Sequence, residues 1–235
     1  MKITYTRIAA AIVGLLSVGC TTDSYDSGDG NYSYLTADFV LLHTDGEARI
    51  SSADTDDGKH LTISNPFIAD WAQKADSVYR ALLYYDANKT GDTDDSKRYV
   101  VQMRSVRYVP VIYPTTADRL VGINDSPIDV ESTWMSANSR FLNMTLLLKS
   151  GKTDDDQPIH TVAVVKGEPY IDADGKRHAV LRLVHDQGNV PQYYTVRQYV
   201  SISMGEFADA DSVDIGINVS SGYISKRLPL SVVND

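Results

Sequence analysis

Three stretches of this chain alternate apolar and polar residues strictly enough to fix their secondary structure. Residues 212–219 set Val213, Ile215, Ile217 and Val219 on one side against Asp214, Gly216 and Asn218 on the other. Residues 141–149 place Leu142, Met144, Leu146 and Leu148 together, and residues 193–204 do the same with Tyr194, Val196, Val200, Ile202 and Met204. A period of two is that of a strand whose successive side chains point to opposite faces, one buried and one wet. With residues 160–165, 179–185 and 223–230 added, six or seven strands with one apolar face each predict a two-sheet antiparallel sandwich.

The preceding part of the chain reads as a second β unit. Candidate strands at 37–42, 48–51, 60–63, 78–87 and 98–109 are separated by TDGE, ADTDDGK and NKTGDTDDS, all good turn chemistry. In 98–109 the apolar parity changes between Val101/Met103 and Val106/Tyr108, which predicts a bulge near Arg104 and Ser105. Five coiled strands of this kind predict an OB-type five-stranded barrel. Helical composition occurs only at 68–77 (IADWAQKADS), and residues 110–124, with two prolines and a glycine, read as a linker. The expected fold is therefore all-β, with an OB-like barrel over 37–122 followed by a C-terminal antiparallel β-sandwich over 123–235.

At the N-terminus Lys2 and Arg7 precede an apolar run, residues 8–18, followed by Gly19 and Cys20. That is the order of a secretory signal, and the run falls short of the roughly 20 residues needed to span a bilayer as a helix. Leu16, Ser17, Val18, Gly19 and Cys20 resemble a lipobox, which implies cleavage after residue 19 and lipid on Cys20. Cys20 is the only cysteine, so an exported chain keeps no pair for a disulfide. Two or three acyl chains make membrane attachment stable. Residues 20–36 then form a lipidated tether, since 21–34 (TTDSYDSGDGNYSY) hold no aliphatic residue to bury. The expected location is the cell envelope, as an outer-membrane lipoprotein.

Removing residues 1–19 takes away Lys2 and Arg7 and no carboxylate, so the formal charge moves from −9 to −11. Nucleic acid is excluded as a partner, because phosphate binding needs clustered Lys and Arg. No HExxH, CxxC, GxSxG, phosphate loop or dinucleotide fingerprint occurs, so no catalytic residue and no cofactor is assigned. His43, His60, His160, His178 and His185 are dispersed, so no metal site is assigned either. Asp172, Asp174 and Gly175 open like a calcium loop, but Leu183 stands where its bidentate Glu belongs, and a hairpin turn is expected instead. Asp92, Asp94 and Asp95, and the run Asp154 to Asp156, read as solvated loops. Tyr193, Arg197 and Tyr199 share the outer parity of their strand, beside His185 and Asp186. They are the candidate ligand-stacking residues, with cross-strand packing as the alternative.

The segments YSYLTADFVLL, TDDGKHLTISNP, SPIDVESTWMSANSRFLNMTLLL and LVHDQGNVPQYYTVRQYVSISM together resemble the NigD-like family of Bacteroidetes lipoproteins. The resemblance implies an N-terminal OB domain, a C-terminal sandwich and an immunity or accessory role, and carries over no catalytic or binding residue. The expectation is a non-catalytic, membrane-anchored module that contacts an envelope protein or a glycan. The alternatives are a fimbria-associated structural component, for which RLPLSVV at the C-terminus is a candidate donated strand, and a hydrolase using paired carboxylates.

Overall fold

The computed structural model describes residues 35–86, 97–120, 122–152 and 160–230. The signal, Cys20 and the acidic runs at 92–95 and 154–156 lie outside them.

Five strands form the first unit: β1 (Leu35–Thr44), β2 (Ile50–Thr55), β3 (His60–Phe67), β4 (Val78–Asp86) and β5 (Arg98–Tyr108). They close in the order β1-β2-β3-β5-β4, with β4 returning to β1 and β3 parallel to β5. Alternate residues Val40, Leu42, Ile50, Ala53, Leu61, Ile63, Ala81, Leu83 and Val101 fill the interior. The expected bulge is present. Tyr84 pairs with Ser105 and Tyr85 with Met103, so Arg104 is the extra residue, and its side chain turns to Asp86 with Nε 2.6 Å from Oδ2. Residues 68–77 form turns instead of a helix. Ala69, Trp71 and Ala72 pack against the barrel core, and Trp71 sits edge-on to Tyr79 at 5.9 Å. Contact with that core outweighs the weak helical preference of so short a segment.

The remaining strands are β6 (Val111–Ile112), β7 (Asp129–Met135), β8 (Phe141–Ser150), β9 (Thr161–Lys166), β10 (Tyr170–Ile171), β11 (Arg177–Asp186), β12 (Tyr194–Ser203), β13 (Ser212–Val219) and β14 (Gly222–Pro229). One sheet runs β6-β12-β8-β7. The other runs β10-β11-β13-β14, with β9 continuing β10 along the same edge of β11. Leu142, Met144, Leu146, Val200, Ile202, Val213, Ile215 and Ile217 make the core between them. The sandwich is not wholly antiparallel, because β11 pairs parallel with β13 and β6 with β12. Residues 110–116 do more than connect: after β6, Thr115 bridges to Val165, its N–H donating to the Val164 carbonyl at 2.8 Å. This segment joins the edges of the two sheets. The described part of the C-terminal run, to residue 230, pairs within its own sheet, with Pro229 opposite Ser212 and Leu230 N–H bonded to the Asp211 carbonyl.

Three hairpin turns share one hydrogen-bond pattern, over 45–49, 55–59 and 172–176. The fourth residue needs positive φ and is Gly58 (82°), Gly175 (78°) or, in the first turn, Ala48 (58°). A side chain in that region costs about 1 kcal/mol or more. Nothing lies within 4 Å of a Cβ at Gly175, so backbone strain alone acts there. Gly175→Ala should lower stability by about 1 kcal/mol, and Ala48→Gly should raise it slightly, by ~0.5 kcal/mol after the entropy of glycine is counted. Urea midpoints that moved the same way for both would refute this.

Candidate functional site

The barrel meets the β6-β12-β8-β7 sheet on the side away from the sandwich core. Arg80, on the outside of β4, is 2% exposed. Its Nη1 and Nη2 donate to Asp56 Oδ1 and Oδ2 at 2.6 Å each, and its Nη2 and Nε reach Asn143 Oδ1 and Ser201 Oγ at 3.2 Å. Phe141 lies under the guanidinium at 4.2 Å, and Phe39 meets Trp134 and Tyr199 edge-on at 5.3 and 5.6 Å. Asn143, Thr145 and Ser201 are on the face that strand alternation assigns to solvent, yet they are buried.

That contact takes in one of the three residues singled out in the sequence. Tyr199 packs against the barrel, with Arg107 over its ring at 5.9 Å. Arg197, two residues along the same face, is paired with Glu131. Tyr193 precedes β12 and is strongly exposed. Their neighbours expected from the sequence are otherwise engaged: His185 is buried, and Asp186 accepts from the backbone of Gly188 and Asn124 at 2.9 and 3.2 Å.

The dispersed histidines acquire partners that spacing does not reveal. His43 Nε2 and His60 Nδ1 lie 2.8 and 2.7 Å from the two oxygens of Asp54, across β1, β2 and β3. These bonds hold the Asp54 carboxyl below its ordinary value against the opposing effect of burial. His178 Nε2 lies 2.8 Å from Asp172 Oδ2 and its Nδ1 lies 2.7 Å from Ser212 Oγ. Carboxylate, imidazole and hydroxyl are aligned, but His178 and Ser212 are both buried and Tyr170 stacks on the imidazole at 4.7 Å. The arrangement pins the hairpin to β13. Asp172 Oδ1 accepts the Asp174 and Lys176 amides at 3.0 and 2.9 Å, so the DADG segment is the expected turn. Among the described residues no three of His, Cys, Asp and Glu converge to hold a metal.

His160 Nδ1 lies 3.1 Å from His185 Nε2, and His185 Nδ1 lies 3.3 Å from the Ser126 carbonyl. Burial pushes both imidazoles down, with mutual repulsion adding to the effect at His160 and nearby carbonyls opposing it at His185. The folded protein therefore holds them neutral while the unfolded chain takes up protons below about pH 6.5. Their contribution is fully present above that value and is lost as pH falls through it toward the folded-state pKa. A urea midpoint that declines between about pH 7.5 and 5, with the decline reduced in His160→Asn/His185→Gln, is the expected result. An unchanged slope in the double variant would exclude the pair as its source.

A groove opens where the edge of the second sheet is interrupted between β9 and β10. About 630 Å3 in volume, it is floored by Pro169, Ile171, Ala179, Phe207 and Ala210. Ion pairs Lys166–Glu206 (2.8 Å) and Arg177–Asp209 stand at its rim. Ile171, at the end of the sheet, is 65% exposed. Neither β10 nor the short turn holding Phe207 is visible as periodicity, because each is too brief to repeat.

An OB-type barrel joined to a β-sandwich is the class of protein that this topology defines. No family model and no curated protein sequence matches the chain. Solved structures share the fold: a NigD-like immunity protein from Bacteroides caccae is 20% identical, with a TM-score of 0.59, covering 81% of this chain and 91% of that one. A protein of unknown function from Bacteroides vulgatus is 16% identical with a TM-score of 0.61, over 85% of this chain and 93% of its own. A candidate lipoprotein from Bacteroides fragilis is 11% identical with a TM-score of 0.55, over 85% and 100%. The architecture that the sequence resemblance implied is thus the one observed.

Proposed function

We propose that this chain is a cell-envelope lipoprotein, anchored through Cys20, whose body is a non-catalytic binding module of the immunity or accessory type. Its site is the groove beside β10, which takes an extended segment of a protein partner. The observation that carries this reading is an apolar floor lying next to a sheet end that exposes Ile171, the arrangement in which a partner strand adds main-chain bonds and fills side-chain pockets. The fold shared with an immunity protein supports it.

The test is a photo-crosslinking residue at Ile171 in intact envelopes, with exposed Tyr113 as control. A discrete adduct from position 171 alone, lost in Phe207→Asp, supports the reading. No adduct, or the same adducts from both positions, overturns it. Anchoring is checked separately: Cys20→Ser should move the protein out of the membrane fraction and abolish labelling by a fatty acid, and a mutant that still took up label would refute the lipidation.

A further inference from the structure

We propose that the outer face of the β10-β11-β13-β14 sheet binds a neutral oligosaccharide, stacked across Tyr170 and Tyr223. This goes beyond the partner groove, since it concerns a different ligand on the face of the sheet.

Both tyrosines are held against the sheet, by different neighbours. Tyr170 is nearly parallel to the buried His178 ring, at 21° and 4.7 Å, and its hydroxyl donates to Asp214 Oδ2 at 2.8 Å. Tyr223 lies over Gly216: a Cβ there would come within 2.5 Å of the tyrosine hydroxyl and 2.9 Å of its Cε1. Both residues remain open to solvent, at 40% and 59% exposed. They approach from opposite ends of the sheet, because Tyr170 pairs with His178 whereas Tyr223 is paired with Asn218, beyond Gly216. Tyr223 lines a depression of about 320 Å3 over Gly167, Val180, Asp214 and Gly216, with Lys166 and Arg182 beside it, and Tyr170 stands next to it through its bond to the lining Asp214. That volume is at the low end for a ligand site.

Charge decides the class of occupant. The chain carries a formal charge of −9, yet the cations of this face are matched one for one: Arg227 with Asp214 at 2.7 Å, Arg182 with Asp125 at 3.2 Å and Lys166 with Glu206 at 2.8 Å. A polyanion or polycation meets no complementary excess here. An apolar peptide would lay greasy surface over paired charges and remove them from water at a cost. A pyranose fits both demands, with C–H faces for the aromatic rings and equatorial hydroxyls for the charged side chains around them.

The full chain, extracted in detergent, can be run through native gels cast with amylopectin, mixed-linkage β-glucan, α-mannan or galactan, with heparin as the charged comparison. Retardation by at least one neutral polysaccharide is expected, weakened at least tenfold in Tyr223→Ala and in Tyr170→Ala and retained in Tyr223→Phe. Gly216→Ala, which keeps both tyrosines but displaces the second ring, should also weaken it. Circular dichroism of each variant separates loss of the platform from loss of the fold. Migration unaltered by every neutral polysaccharide, retardation that survives the Tyr170→Ala/Tyr223→Ala pair, or retardation by heparin alone would each overturn the proposal.

Discussion

Arg80→Ala is expected to lower the stability of the protein by about 3–5 kcal/mol, the range for removing one partner of a buried ion pair. The cost has three sources. Asp56 loses both of its 2.6 Å bonds, Asn143 Oδ1 and Ser201 Oγ each lose a 3.2 Å bond and keep only the 2.7 Å bond between them, and the space between Phe39 and Phe141 empties. A comparable loss on a surface pair would be under 1 kcal/mol, because water takes over the abandoned group. Here it cannot, since the guanidinium is sealed between the barrel and the sheet. Filling the space while removing both charges, as in Arg80→Met/Asp56→Leu, should recover a good part of the loss. The same residues also couple the two units. Calorimetry of the parent should give one transition, and Arg80→Ala should broaden or split it, the barrel melting apart from the sandwich. A loss below about 1 kcal/mol would mean that water reaches the pair.

What the sequence revealed and what it concealed divide along physical lines. Patterns carried by many residues of one kind were legible: the alternation in β8 and β13, the parity change that puts an extra residue at Arg104, and the Asp-Gly turn at 174–175. Each is a local consequence of strand geometry or of a residue able to take positive φ. Features made by contact across long separations were not. Arg80 lies 121 positions from Ser201, and nothing in either neighbourhood says that one will bury the other. For the same reason Tyr199, read as an outward aromatic, is half-buried against the barrel: alternation tells which face a residue is on, not what covers that face. The parallel pairing of β11 with β13, the short β6 and β10, and the groove beside them also depend on tertiary placement. Of the face that carries Tyr170 and Tyr223, the sequence offered Tyr223 as an ordinary strand residue, and only the stacking of Tyr170 on His178 and the contact of Tyr223 with Gly216 distinguish it.

The alternation in β12 also overstates how evenly that strand is buried, and paired substitutions measure the difference. Tyr194, Val196, Val200, Ile202 and Met204 share one parity, but Tyr194 and Val196 are 51% and 36% exposed while Ile202 and Met204 are almost wholly covered. The sandwich core is centred toward the end of the strand that pairs with Leu142 and Met144, and it thins toward residue 194, opposite Ser150. Leu142→Ala, which deletes a fully buried side chain between its lateral partners Ile202 and Met135, should therefore cost about 2–5 kcal/mol, the transfer energy plus the cavity it leaves. Val196→Ala sits on the same face yet removes atoms already partly in water, and should cost less than about 1 kcal/mol. Both are read from urea unfolding at constant m, so that a change in the slope does not masquerade as a change in stability. Equal losses at the two positions would mean that the core extends the full length of β12 and that Val196 is covered in solution.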